Sequence, residues 1–208
     1  MRRTLIAVCV FSIAMGFLEA AVVVYLRQLY YPGGFGFPLV DIPPGIGLVE
    51  VVREGATIVM LAAIGFLAGN VFLLRFAYFS IAFGIWDIFY YVFLKCAIGW
   101  PPSLLTDDIL FLLPLPWVGP VLAPLIVSIC LIAAGATIVR RDAAGPPVVI
   151  APLRWLFIVA GGALVLATFL LDTGATIHHQ LPGRFNWFLF TTGILVGLSA
   201  FVSALEHK

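Results

Sequence analysis

The chain has 208 residues, 63% of them apolar, 10% charged and 14% aromatic, with a mean hydropathy of +1.16. A soluble domain is nearer half apolar and a quarter charged, so this chain lacks the polar surface to cover itself in water. That shortage of polar surface excludes a disordered chain and a cytosolic enzyme, and eleven Lys and Arg against ten Asp and Glu, a net charge of +1, supply no basic nucleic-acid face.

Cys9, Cys96 and Cys130 lie in apolar runs without CxxC spacing, so no disulfide framework is expected. What remains is an all-α integral membrane protein, a single transmembrane domain over 1–208.

A helix crossing the hydrocarbon needs about 20 mostly apolar residues. Six spans are predicted, at roughly 4–26, 49–74, 76–99, 117–139, 153–171 and 186–205. Arg2 and Arg3 open the first like a signal peptide. Its apolar run continues past Glu19 to Leu26 with no clean A-x-A site, so a retained helix is expected. Ser12, Gly16 and Ala20 form a stripe of small residues along it, and Glu19 sits about two turns before its far end. The following Pro/Gly loop, 32–47, carries Phe35, Phe37 and Asp41. It reads equally as an apolar lid over a pocket and as a loop anchored at the membrane surface.

On the second span Glu50 and Glu54 are four apart and share a face, with Arg53 beside them to offset their repulsion. Gly65 and Gly69 make a GxxxG pair, as do Gly193 and Gly197 on the sixth span, and both are expected to pack helices within the bundle. On the third span Asp87 lies near mid-helix, with Tyr91 and Lys95 following on the same face at i+4 and i+8. The apolar stretch 101–116 is bounded by Pro101, Pro102, Pro114 and Pro116 and is too short to cross. It is predicted to be re-entrant or interfacial, with a short helix capped by Thr106 and opened by Asp107 and Asp108. His178 and His179 occupy the loop between the fifth and sixth spans, outside any HExxH or Glu-x-x-His spacing.

Basic residues set the expected orientation. With the N-terminus cytoplasmic, Arg2, Arg3, Arg75, Arg140, Arg141, Arg154 and Lys208 lie inside, against Arg27, Arg53, Lys95 and Arg184 outside. Both termini are therefore expected in the cytoplasm, and the absence of a sequon after Asn70 or Asn186 fits a bacterial inner membrane.

That topology puts eight acids (Glu19, Asp41, Glu50, Glu54, Asp87, Asp107, Asp108 and Asp172) in the outer half or its loops. An acid at membrane depth costs about 2.5–3.5 kcal/mol on insertion scales, so it faces the bundle interior, pairs, or lines a wet cavity. The expected site follows. Glu19, Glu54 and Asp87 would converge with His178 or His179 on a divalent metal such as Zn, Mn or Fe, and Tyr91 and Lys95 would act beside Asp87 as catalytic groups. Such a site suits a membrane enzyme acting on a lipid-like substrate.

Two alternatives stand beside it. A small transporter or solute-capture subunit would use the acids as cation or proton sites, although no inverted repeat is visible. A structural subunit would satisfy them with Arg27, Arg53, Lys95 and Arg184. No GxSxG, P-loop or GxGxxG is present. The expected partners are membrane lipids and a small amphiphilic or ionic ligand, with no nucleic acid.

Overall fold

The computed structural model describes residues 2–145 and 148–206; Lys208, counted above among the inner-side bases, lies outside them. In chain order the elements are α1 (Arg2–Tyr30), α2 (Pro44–Ala68), α3 (Phe72–Ile98), β1 (Asp107–Phe111), β2 (Trp117–Pro120), α4 (Leu122–Ala144), α5 (Pro152–Leu170), α6 (Thr173–Ile177) and α7 (Trp187–Glu206). Six of the helices are long and apolar enough to cross a membrane, the fifth such span running from α5 through α6. The fold is an all-α six-helix bundle with one small hairpin.

The second span is shorter at its end than the apolar run implied. Gly69 closes α2, and a Cβ there would lie 2.4 Å from the Arg75 backbone nitrogen, so the chain doubles back into α3 at once. The residues from Val71 onward extend the apolar run but belong to the turn and to α3. At its start α2 gains a turn, because Pro44 stands in its first turn, where a missing N–H costs nothing.

Helix α3 is the centre of one unit, and small residues decide how closely its neighbours approach. Gly16 of α1 rests on the Trp86 carbonyl, Gly65 of α2 on that of Arg75, and Gly135 of α4 on that of Ala77. The predicted small-residue pairs therefore do pack helices within the chain. Helices α5 and α7 form a second unit, with Gly161 lying against the Gly193 carbonyl and the Gly197 nitrogen. At one end the units meet through Arg141 Nη1, which donates to the Leu205 carbonyl at 2.6 Å. At the other they meet through the hairpin, where Trp117 stacks on Phe169.

That hairpin corrects the helix predicted at Thr106–Asp108. Strands β1 and β2 pair antiparallel, Asp108 opposite Gly119 and Ile109 opposite Val118, with a bulge before Phe111. Ile109 and Phe111, and Trp117 and Val118 opposite them, are β-branched or aromatic, and Pro114 and Pro116, which cannot donate to a ladder, fall in the connecting turn. Thr106 instead accepts from the Ser103 backbone N–H at 3.3 Å and closes the turn that enters β1.

The segment folds back against the bundle. Its tip reaches Glu54, whose carboxylate accepts from the Leu112 backbone N–H at 2.7 Å. Glu54 lies ten residues along α2 from Pro44, which is about 15 Å into the bundle. Non-helical backbone survives at such depth only when every polar group finds a protein partner. The ladder, Glu54 and the Thr173 hydroxyl, which donates to the Pro116 carbonyl at 2.7 Å, supply those partners.

Candidate functional site

Among the described residues, the buried acids of the hairpin end separate into two ion-paired clusters and two carboxyls, Glu54 and Asp87, without an ionic partner. In the first cluster Arg53 donates to Glu19 of α1 and, at 2.9 Å, to Glu50 of its own helix. Thr57 adds a hydroxyl to Glu19 at 3.2 Å. The predicted offset of Glu50 by Arg53 is present, and the same guanidinium also serves Glu19.

The second cluster joins elements that the sequence kept apart. Arg27, near the end of α1, donates to Asp108 of β1 at 3.0 Å, and Tyr91 of α3 donates to the other oxygen at 3.3 Å. The guanidinium lies over the Trp100 ring at 3.7 Å and the Phe35 ring at 4.3 Å. A cation between two aromatic faces gains cation–π energy in a dry setting. Phe35 of the 32–47 loop thus covers an ion pair.

Burial pushes the Asp108 carboxyl up from 3.8 to about 6, against the pull of Arg27, the Ile109 backbone and Tyr91. Asp107, half-buried beside Asp172, is also raised, burial being the larger cause. For Asp108 the folded value exceeds the ordinary one. The stability tied to its neutral form is therefore fully present below 3.8 and is lost as pH rises through about 6. Asp108→Asn is expected to flatten that part of the curve when unfolding midpoints in detergent are compared from about pH 4 to pH 7. Parallel wild-type and variant curves would remove Asp108 as their cause.

Lys95 does not join Asp87 and Tyr91. Its ammonium donates to the Gly99 carbonyl at 3.0 Å and the Pro101 carbonyl at 2.8 Å, closing the end of its own helix. His179 holds the Leu39 carbonyl at 2.8 Å and faces Asp41 at 3.2 Å, tying its loop to the 32–47 loop. His178 is exposed beside it. Among the described residues no group of three or more His, Cys, Asp or Glu is placed to hold a metal ion. The predicted ligands Glu19, Glu54, Asp87, His178 and His179 are thus distributed over an arginine, a backbone N–H, a serine and a surface loop. The counter-charge assigned to a metal is supplied at Glu19 by Arg53.

Asp87 is different in kind. It is buried, accepts from Ser128 of α4 at 2.7 Å, and has no ion pair among the described residues. It also lines a cavity of about 460 Å³ between the α3–α4 and α5–α7 units. The walls are otherwise almost wholly hydrocarbon and aromatic, among them Trp86, Phe111, Trp117, Leu131, Ile158 and Phe169. A cavity of several hundred Å³ with apolar walls and a few convergent polar groups is the usual form of a small-molecule site.

Sequence reasoning placed Asp87 in the site but missed Ser128, Trp86 and Trp117, which come from three elements. Only the tryptophans carried a signal, as amphipathic rings inside apolar runs. Comparison with family models, with curated proteins and with solved structures finds no match for this chain.

Proposed function

We propose that this polytopic membrane protein binds a lipid-like molecule in the cavity between its two helical units, with Asp87 at the polar end. One observation carries the reading: an acid without an ionic partner among the described residues lines a volume of about 460 Å³ whose other walls are almost wholly apolar. Burying a carboxyl at this depth is costly. The ligand's hydrocarbon gains from the apolar walls at roughly 25 cal/mol per Å² buried, and its polar group meets Asp87.

Purified protein, extracted with organic solvent, is expected to release a stoichiometric amphiphile. Gly162 lines the cavity, and a Cβ there meets no heavy atom within 4 Å, so the side chain of Gly162→Phe starts into open space. The variant is expected to fold and to lose the amphiphile. A wild-type extract holding only bulk lipid in proportion to the detergent would overturn the reading.

The host membrane is taken as a bacterial inner membrane with both termini cytoplasmic, supported by the basic-residue bias. A tag added after Lys208 should then resist protease supplied from the outer face; cleavage there would invert the topology.

A further inference from the structure

We propose, resting on the lipid-binding reading above, that the ligand's head is a protonated amine: a long-tailed amphiphile with one positive charge and no anionic group. Among the described residues that line the cavity, Asp87 is the only charged one, and no lysine, arginine or histidine stands with it. Its Oδ2 accepts from Ser128 at 2.7 Å. Its Oδ1 has no hydrogen-bond partner among the described residues, yet it is not sealed from water-sized space as the unpartnered indole nitrogens of Trp86, Trp100 and Trp117 are. One carboxylate oxygen is therefore left to a donor from outside the chain.

The chain answers its other buried acids internally. Arg53 serves Glu19 and Glu50, Arg27 serves Asp108, and the Leu112 backbone N–H serves Glu54. Arg27 also shows what company a buried cation keeps in this protein: a carboxylate and two aromatic rings, Trp100 and Phe35. The cavity offers the same company without the cation. Phe83, one turn before Asp87 on the same face of α3, lines it, as do Trp86 and Trp117. A carboxylate and aromatic rings in a dry setting favour an ammonium, through a charge-assisted hydrogen bond and cation–π attraction. A phosphate or carboxylate head would be repelled by Asp87 and would find no base in the lining, so anionic and zwitterionic phospholipids fit poorly. Ile138, Ile158 and Leu198 add hydrocarbon wall for the tail. The step assigned is binding, with the ammonium donating to Asp87.

The test uses the full chain in maltoside micelles at about pH 7, where an alkylamine is protonated. Two probes share one tail and differ in the head, dodecylamine and dodecan-1-ol. Equilibrium dialysis, with empty micelles as the blank for partition into detergent, is expected to show saturable amine binding about tenfold tighter than the alcohol, the worth of a hydrogen bond between charged partners. That comparison needs no variant. Asp87→Asn should then remove most of the preference, and Asp87→Glu, which keeps the charge, should retain it. Both variants should elute from size exclusion as the wild type does, which reports that they have folded.

Equal wild-type affinity for the two probes overturns the ammonium head and leaves the lipid-binding reading standing. So does a preference that survives Asp87→Asn. Displacement of labelled dodecylamine by lysophosphatidylethanolamine as readily as by unlabelled amine overturns the single-charge class in favour of a phospholipid head. Amine binding that persists in Gly162→Phe places the ligand elsewhere and overturns both readings.

Discussion

Arg53→Met is expected to cost the fold about 3–5 kcal/mol, the usual price of removing one partner from a buried ion pair. The guanidinium is shared by Glu19 and Glu50, both over nine-tenths buried. Without it two carboxylates from α1 and α2 face each other in a dry seam with only Thr57 to donate. The variant should unfold at lower SDS fraction when mixed micelles are titrated and tryptophan fluorescence is followed. Adding Glu19→Gln and Glu50→Gln to Arg53→Met should recover most of the loss, because the costly species is the unpaired charge. If Arg53→Met alone unfolds like the wild type, the cluster is not structural and its charges must be answered from outside the chain.

Two adjacent glycines of α5 are expected to behave in opposite ways. At Gly161 a Cβ would lie 2.6 Å from the Gly193 carbonyl and 2.7 Å from the Gly197 nitrogen. Both are backbone atoms, which cannot yield by changing rotamer. Gly161→Leu must therefore separate α5 from α7, at about 1–3 kcal/mol or more for an overpacked contact. At Gly162 the same group enters open space, and Gly162→Leu should stay within about 0.5 kcal/mol of the wild type. The same SDS titration reads both. Equal destabilisation would mean that helix propensity or lipid contact, and not the glycine seam, sets the response.

The spans were legible because crossing a bilayer demands a long apolar run, and such a run needs no knowledge of its neighbours. Their junctions were less so: Val71 to Leu74 extend the hydropathy of α2 while belonging to the turn and to α3. The strands escaped notice because Asp107 and Asp108 after Thr106 resemble a helix start. What settles the matter is the pairing of Ile109 with Val118 across a proline turn, a nonlocal fact.

The polar residues show the same division. Spacing put Asp87, Tyr91 and Lys95 on one helical face, yet each found its partner on a different element: Ser128 on α4, Asp108 on β1, and the carbonyls beyond α3's own end. A helical face narrows where a side chain points without naming what it meets. The cavity was not legible at all, since it is the gap between two units and belongs to no residue's own pattern.

The hairpin bears on how the chain is made. Its depth is secured on one side by Glu54, which is synthesised before it, and on the other by Phe169 and Thr173, which emerge some fifty residues later. While those later residues are still in the ribosome, the Pro116 carbonyl and the Trp117 ring lack their partners, although Arg27, Glu54 and Tyr91 are already in place, and lipid is a poor host for unpaired backbone. Seating of the hairpin is therefore a late event in biogenesis. A nascent chain arrested after α4 would hold residues 107–120 at the membrane surface, within reach of proteases that the finished protein excludes.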